Sequence, residues 1–178
     1  MEFTGQLATR APVKMVTKRL GDARWISQCL PTLGKLEVVS DDEFLATFKV
    51  DLSEAARRIH LDYLSRLTVG MCFRYLKKAE DGIILEGAGR VAGSSLEIKL
   101  NLNINQADDE TLVLWKAQVE FGRLLKLFGE KLIRDISTTT INDLTNCLTT
   151  KLTSENKGGE PRPTLPMRRN DQASGSAT

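Results

Sequence analysis

Histidine is almost missing from this sequence: His60 stands alone in 178 residues. A serine or cysteine nucleophile needs an imidazole-type base, and His60 sits beside Arg57 and Arg58, where it reads as a solvated or helix-capping side chain. No catalytic residue is assigned. Cysteine is scarce as well. Cys29, Cys72 and Cys147 are odd in number, widely spaced and each among apolar neighbours. This pattern offers no clustered metal ligands, and it reads as small buried hydrophobes in a reducing compartment, the cytoplasm. No metal and no cofactor are expected.

Charge of one sign is also lacking, since 25 basic and 23 acidic residues are interleaved to a net +2. No strong field draws nucleic acid, which is excluded as a partner. No apolar run reaches the roughly 18 residues of a membrane-spanning helix. Met1 to Arg10 has no basic stretch followed by an apolar one, so it does not read as a signal peptide. Membrane contact is therefore expected to be peripheral at most, at the inner face of the cell membrane.

What is present suits one water-soluble domain with a proper core. Phe3, Gly5 and Leu7 alternate with Glu2, Thr4 and Gln6, which predicts a strand over Glu2 to Thr9. Pro12 opens a helical spacing through Val13, Val16 and Leu20; Gly21 interrupts it before Trp25, Ile26 and Cys29, predicting two short helices that end near Pro31. Leu36 and Val38, then Phe44 to Val50 after Ser40-Asp41-Asp42, predict a hairpin. From Ser53 to about Arg66 the period turns helical at Ala56, Ile59 and Tyr63, an inserted helix. Strands follow over Thr68 to Leu76, Ile83 to Val91, Leu96 to Asn105 and Thr111 to Phe121, with connections so short that the sheet must be an antiparallel meander.

After Gly122 one helical stripe carries Leu125, Phe128, Leu132, Ile136, Thr140 and Cys147, predicting a single long helix from Gly122 to about Leu152. From Thr153 to Thr178 glycine, proline and small polar residues take over, the composition of a disordered tail. The domain thus spans 1–152, with 53–66 as its helical insert and 153–178 as its tail. Gly87, Gly89 and Gly93 straddle a strand and open no helix, which suits a bent strand better than a phosphate loop.

The stripe has two readings. Leu125, Phe128, Leu132 and Ile136 either fill a solid core or, with Thr140, form one wall of a ligand cavity opposite Phe73, Tyr75, Leu85, Ile98, Val113 and Trp115.

The order of one strand, two short helices, a strand meander and a long C-terminal helix resembles the helix-grip, START-like (SRPBCC) domains. Within them, Met1-Glu-Phe-Thr-Gly5, Cys29-Leu-Pro-Thr-Leu33, Glu86-Gly-Ala-Gly-Arg90 with Gly93-Ser-Ser95, and Val119 to Gly129 with Glu130 to Ile133 are similar to motifs of the CoxG-like family, named for the G subunit of carbon monoxide dehydrogenase. The resemblance runs from Met1 to about Leu152. It implies an α+β helix-grip fold, a curved antiparallel sheet wrapped around the long helix, and it favours the cavity reading.

It further implies a non-enzymatic binder of a lipid- or quinone-like molecule that serves a molybdenum-containing carbon monoxide dehydrogenase or related hydroxylase. The insert at Ser53 to Arg66 departs from the family pattern and stands either as a lid or as an edge decoration. The polar tail differs from the apolar anchor of some members. Two alternatives remain: an assembly or membrane-recruitment factor working through its outer surface, and a cyclase-type enzyme. The second needs inward ionisable groups, and the strand phases place Glu97, Lys99, Lys116 and Glu120 outward.

Overall fold

The structure, a computed structural model, describes residues 1–60, 63 and 65–159. Seven strands build one antiparallel sheet: β1 (Glu2–Thr9), β2 (Leu33–Val38), β3 (Glu43–Asp51), β4 (Arg66–Ala79), β5 (Gly82–Val91), β6 (Ser94–Ala107) and β7 (Glu110–Glu120). Their spatial order is β1-β7-β6-β5-β4-β3-β2, so the meander runs from β2 to β7 and β1 closes against β7. Around the sheet lie α1 (Val13–Leu20), α2 (Ala23–Ile26) with a 3-10 turn at Ser27–Cys29, α3 (Ser53–Arg58), α4 (Leu124–Phe128) and α5 (Glu130–Gly159).

Local chemistry sets several of these boundaries. The Asp22 carboxylate accepts from the backbone N–H of Arg24 at 2.9 Å and of Trp25 at 3.4 Å, capping α2. Register then stacks one apolar layer across the sheet. Val119, Ile98, Gly87, Phe73 and Phe44 are successive cross-strand partners, as are Ala117, Leu100, Leu85 and Tyr75 one pleat away. Phe44 and Phe73 stack at 4.9 Å between ring centroids. At Gly89 a β-carbon would lie 2.1 Å from the Gly70 carbonyl oxygen, and at Gly87 it would lie 2.5 Å from the Phe73 ring. Side chains there would prise β4 from β5, so the two glycines permit the close approach that the sheet needs in order to bend.

Four expectations are corrected. The inserted helix is shorter than 53–66: α3 ends at Arg58, His60 takes a left-handed φ of 57°, and Arg66 already belongs to β4. The rest of that helix, at residues 61, 62 and 64, lies outside the described residues. The long helix is two helices, because Gly129 adopts φ 84° and ψ 151°, a conformation almost confined to glycine, and divides α4 from α5. Its end is also later than Leu152, as α5 continues to Gly159; the remainder of the expected tail, 160–178, lies outside the described residues. Finally, the cysteines are not three buried hydrophobes: Cys29 and Cys147 form a disulfide and Cys72 is exposed.

That disulfide belongs to a cluster of contacts fastening α5 to the 3-10 turn and α2. Nε1 of Trp25 donates to Glu155, Arg19 pairs with the same carboxylate at 2.8 Å, and Leu152 between them is completely buried. At the opposite end the Ser94 hydroxyl accepts from the Arg123 backbone N–H at 2.7 Å, while the Arg123 guanidinium reaches the Gly93 carbonyl at 3.1 Å. The β5–β6 turn thereby holds the start of α4. Between its two fastenings α5 runs beside the edge strand β1.

Candidate functional site

The inward face of the sheet is apolar except at Thr9, Ser94 and Thr111, yet its middle is incompletely covered. Along β6 the inward side chains Leu96, Ile98, Leu100 and Leu102 are only half-buried, and full burial is reached only towards the ends of the strand, at Ser94 and Ile104. β6 has two strands on one side and four on the other. Inward side chains of so internal a strand would be fully covered by a solid core. Opposite them, Leu125 on α4 and Leu132 and Ile136 on α5 are half-buried too, as are Phe48 and Val50 on β3. Half-buried apolar side chains thus belong to both the sheet and the helices that cover it, and the accessible apolar space that they mark is termed the hollow.

Its ends are closed by polar contacts. At one end the Tyr75 hydroxyl donates to the Leu20 carbonyl at 3.0 Å and the Thr111 hydroxyl to the Ala11 carbonyl at 2.6 Å, tying α1 and the segment before it to the sheet. At the other, Leu124 and Phe128 of α4 are buried behind the Ser94 clasp. Burial raises the Tyr75 phenol far above the ordinary tyrosine value, with the Asp22 carboxylate adding to the effect. Among the described residues the buried polar side chains are Tyr75, Thr9, Ser94 and Thr111. They serve these closures, and no buried acid–base pair faces the hollow.

Of the residues assigned to the wall from sequence, Phe73, Tyr75, Leu85, Val113 and Phe128 are buried in the main core cluster. Ile98, Leu125, Leu132 and Ile136 pack against that cluster half-buried. Trp115 joins a second cluster with Phe3, Ala117 and Val119. Thr140 does not join the wall: it is exposed, and its hydroxyl donates to the Ile136 carbonyl at 2.9 Å. Leu96, Leu100 and Leu102 were missed, although the alternation of β6 is unbroken and marks them as inward as plainly as Ile98. Glu97, Lys99, Lys116 and Glu120 are exposed on the outward face, with Lys116 on Glu2 at 3.0 Å and Lys99 on Glu86 at 3.7 Å.

Two grooves lie outside the hollow. One, of about 810 Å³, crosses the outward face past Cys72, Arg74, Glu86, Glu97, Lys99 and Glu120. The other, of about 510 Å³, separates β1 from α5.

A curved seven-stranded antiparallel sheet closed by a C-terminal helix over an apolar hollow defines a START-like, helix-grip protein. The same fold is seen in a conserved protein from Geobacillus kaustophilus (TM-score 0.70, 14% identity, covering 85% of this chain and 95% of that one). It recurs in a START superfamily protein from Mycobacterium smegmatis (0.60, 11%, 85% and 96%) and in the Zhui aromatase/cyclase from Streptomyces sp. R1128 (0.61, 12%, 85% and 93%). No curated protein matches the chain in sequence. A model of the CoxG family, the G subunit of carbon monoxide dehydrogenase, matches residues 5–153, and the chain belongs to that family. Among the described residues no helix is long and apolar enough to cross a membrane.

Proposed function

We propose that this protein binds a hydrophobic or amphipathic small molecule, lipid- or quinone-like, in the hollow between sheet and α5, and that it does so without catalysing a reaction. The observation that carries this reading is the half-exposure of four successive inward side chains on the internal strand β6. Uncovered apolar surface of this kind is stabilised by an apolar occupant, at about 25 cal/mol for each Å² removed from water. Family membership extends the reading to service as an accessory of a molybdenum-containing carbon monoxide dehydrogenase or related hydroxylase, in the cytoplasm or at the inner face of the membrane. The cysteine argument for a reducing compartment no longer supports that location, because two of the three cysteines are paired.

Organic extraction of the purified protein followed by mass analysis tests the binding reading. We expect one lipid- or quinone-class compound at near-stoichiometric amount. Repeated empty preparations, together with no rise in Tm on adding such compounds, overturn it.

A second reading, docking through the outer surface, has one observation in its favour. Glu97 and Glu120 face each other across β6 and β7 without ion-pair partners among the described residues, in the groove on the outward face. Like charges so placed cost stability unless a cationic group meets them. Pull-down of a hydroxylase subunit by the wild-type protein, lost in Glu97→Gln/Glu120→Gln, would favour it.

A further inference from the structure

The gap between α5 and β1 is unusual for a helix packed beside a strand, because the helix presents polar side chains to it. Thr138, Asn142, Thr145 and Asn146 line the gap at helical spacing, with Ile141 among them. Four other threonines of α5, at 139, 140, 149 and 153, donate to the carbonyl four residues back, at 2.8 to 3.1 Å. Thr138 and Thr145 do not, and neither do the amides of Asn142 and Asn146 have a protein partner among the described residues. These hydrogen-bonding groups are turned to the gap and left open.

The strand side is built to match. Met1 exchanges both main-chain hydrogen bonds with Val119, at 2.7 and 2.8 Å. By the alternation of an antiparallel ladder, Phe3, Gly5 and Leu7 then bond to β7, and the main-chain N–H and C=O of Thr4 and Gln6 point off the sheet edge into the gap. Behind them lies Trp115, whose ring stands where a β-carbon on Gly5 would be, 2.4 Å from that position. Its indole N–H has no protein acceptor among the described residues. Trp115 is also the cross-strand partner of Leu102, one of the half-exposed side chains of the hollow. Trp115 therefore stands between the gap and the inward row of β6.

Formal charge is nearly absent. Glu2 is the one ionisable residue in the lining, and Lys116 holds it at 3.0 Å. The cations beside the gap, Lys116 and Arg134 over the Phe3 ring, are already held by Glu2 at 3.0 Å and by Glu130 at 3.2 Å, so an anionic head group would have to compete with those carboxylates for them. An uncharged one with carbonyl or hydroxyl oxygens would find several donors: the indole N–H, two amides, two hydroxyls and the free strand edge.

We infer that the α5–β1 gap is the head-group site of the ligand, selective for an amphipath with a neutral, oxygen-bearing head whose apolar part lies in the hollow. This rests on the binding reading given above and specifies the ligand's polar end.

Displacement of Nile red, a neutral apolar dye, by 1-decanoylglycerol and by decanoate at pH 8 tests it, since the two share a chain and differ in head group. The neutral lipid should displace the dye at least about tenfold more effectively, the worth of one or two hydrogen bonds. Asn142→Leu/Asn146→Leu alters two exposed helix positions and should bring the two lipids within about twofold of each other in displacing the dye. If decanoate competes as well as the glycerol ester, or if the double variant keeps the full preference, the head-group site is wrong although the hollow stands. If neither dye nor lipid binds, both readings fall. Circular dichroism of the variant, expected to match the wild type, confirms that the comparison is made on folded protein.

Discussion

At the scale of single residues, Tyr75 shows how a side chain placed for packing acquires a pH signature. Its ring lies in the apolar layer beside Phe44 and its hydroxyl is spent on the Leu20 carbonyl, so the neutral phenol is the form that fits. A raised folded-state pKa means that Tyr75 favours the native state fully below the unfolded tyrosine value of about 10, and that this contribution is lost as pH rises beyond it. Urea denaturation at pH 8 and pH 11 should show the wild type losing stability between them, with part of that loss absent in Tyr75→Phe. At pH 8 the variant should cost about 1 kcal/mol, the worth of a hydrogen bond whose acceptor stays buried. An alkaline limb of unchanged depth in Tyr75→Phe would assign the loss to other groups. Tyr75 was legible as inward from strand alternation alone. Its tie to Leu20, 55 positions away in sequence, was not, because alternation reports a side chain's direction and not what meets it.

At the scale of elements, the strands were legible to within about three residues at each end, since a period of two survives any tertiary context that leaves one face covered. The helices fared differently. The apolar spacing runs unbroken across Gly129 and so predicts one helix; the poor helix propensity of the glycine was the local sign of the break that its backbone angles make between α4 and α5. Past Leu152 the apolar spacing ends, yet the helix continues, because Glu155 supplies a polar anchor to Trp25 and Arg19 where periodicity looks for a hydrophobe. The insert stops where His60 turns left-handed without a glycine to announce it.

The Cys29–Cys147 pairing, separated by 118 positions, carries no local signal at all. It consolidates the same anchor, so its loss has a local and a global part. Closing so long a loop restricts the unfolded chain, and Cys29→Ser/Cys147→Ser should lower stability by about 2 to 5 kcal/mol. Hydrogen exchange should in addition speed up selectively over the last turns of α5, around Leu148 to Glu155, more than over β4 to β6. Uniform acceleration across the sheet would show that the bridge acts through the unfolded state only.

At the scale of the whole molecule the open contest is between a hollow and a solid core, and a single side chain can decide it by the sign of its effect. Leu132 lies half-buried on α5, facing the incompletely covered sheet. In a close-packed interior Leu132→Trp forces neighbours from their rotamers and costs about 1 to 3 kcal/mol. In a hollow the indole enters free space, covers part of the surface left bare by Ile98 and Leu100, and leaves stability unchanged or raised. The ligand-free protein should therefore keep or raise its Tm in Leu132→Trp, while its affinity for an apolar probe such as Nile red falls by about tenfold or more as the indole takes the ligand's place. The two measurements must part: Tm held or raised, affinity lowered. A Tm drop with unchanged probe affinity would mean that α5 packs on a filled core and that the probe sits elsewhere. The half-exposed row along β6 would then be a surface awaiting a protein partner, and the CoxG family membership would have to be explained through docking instead of ligand carriage.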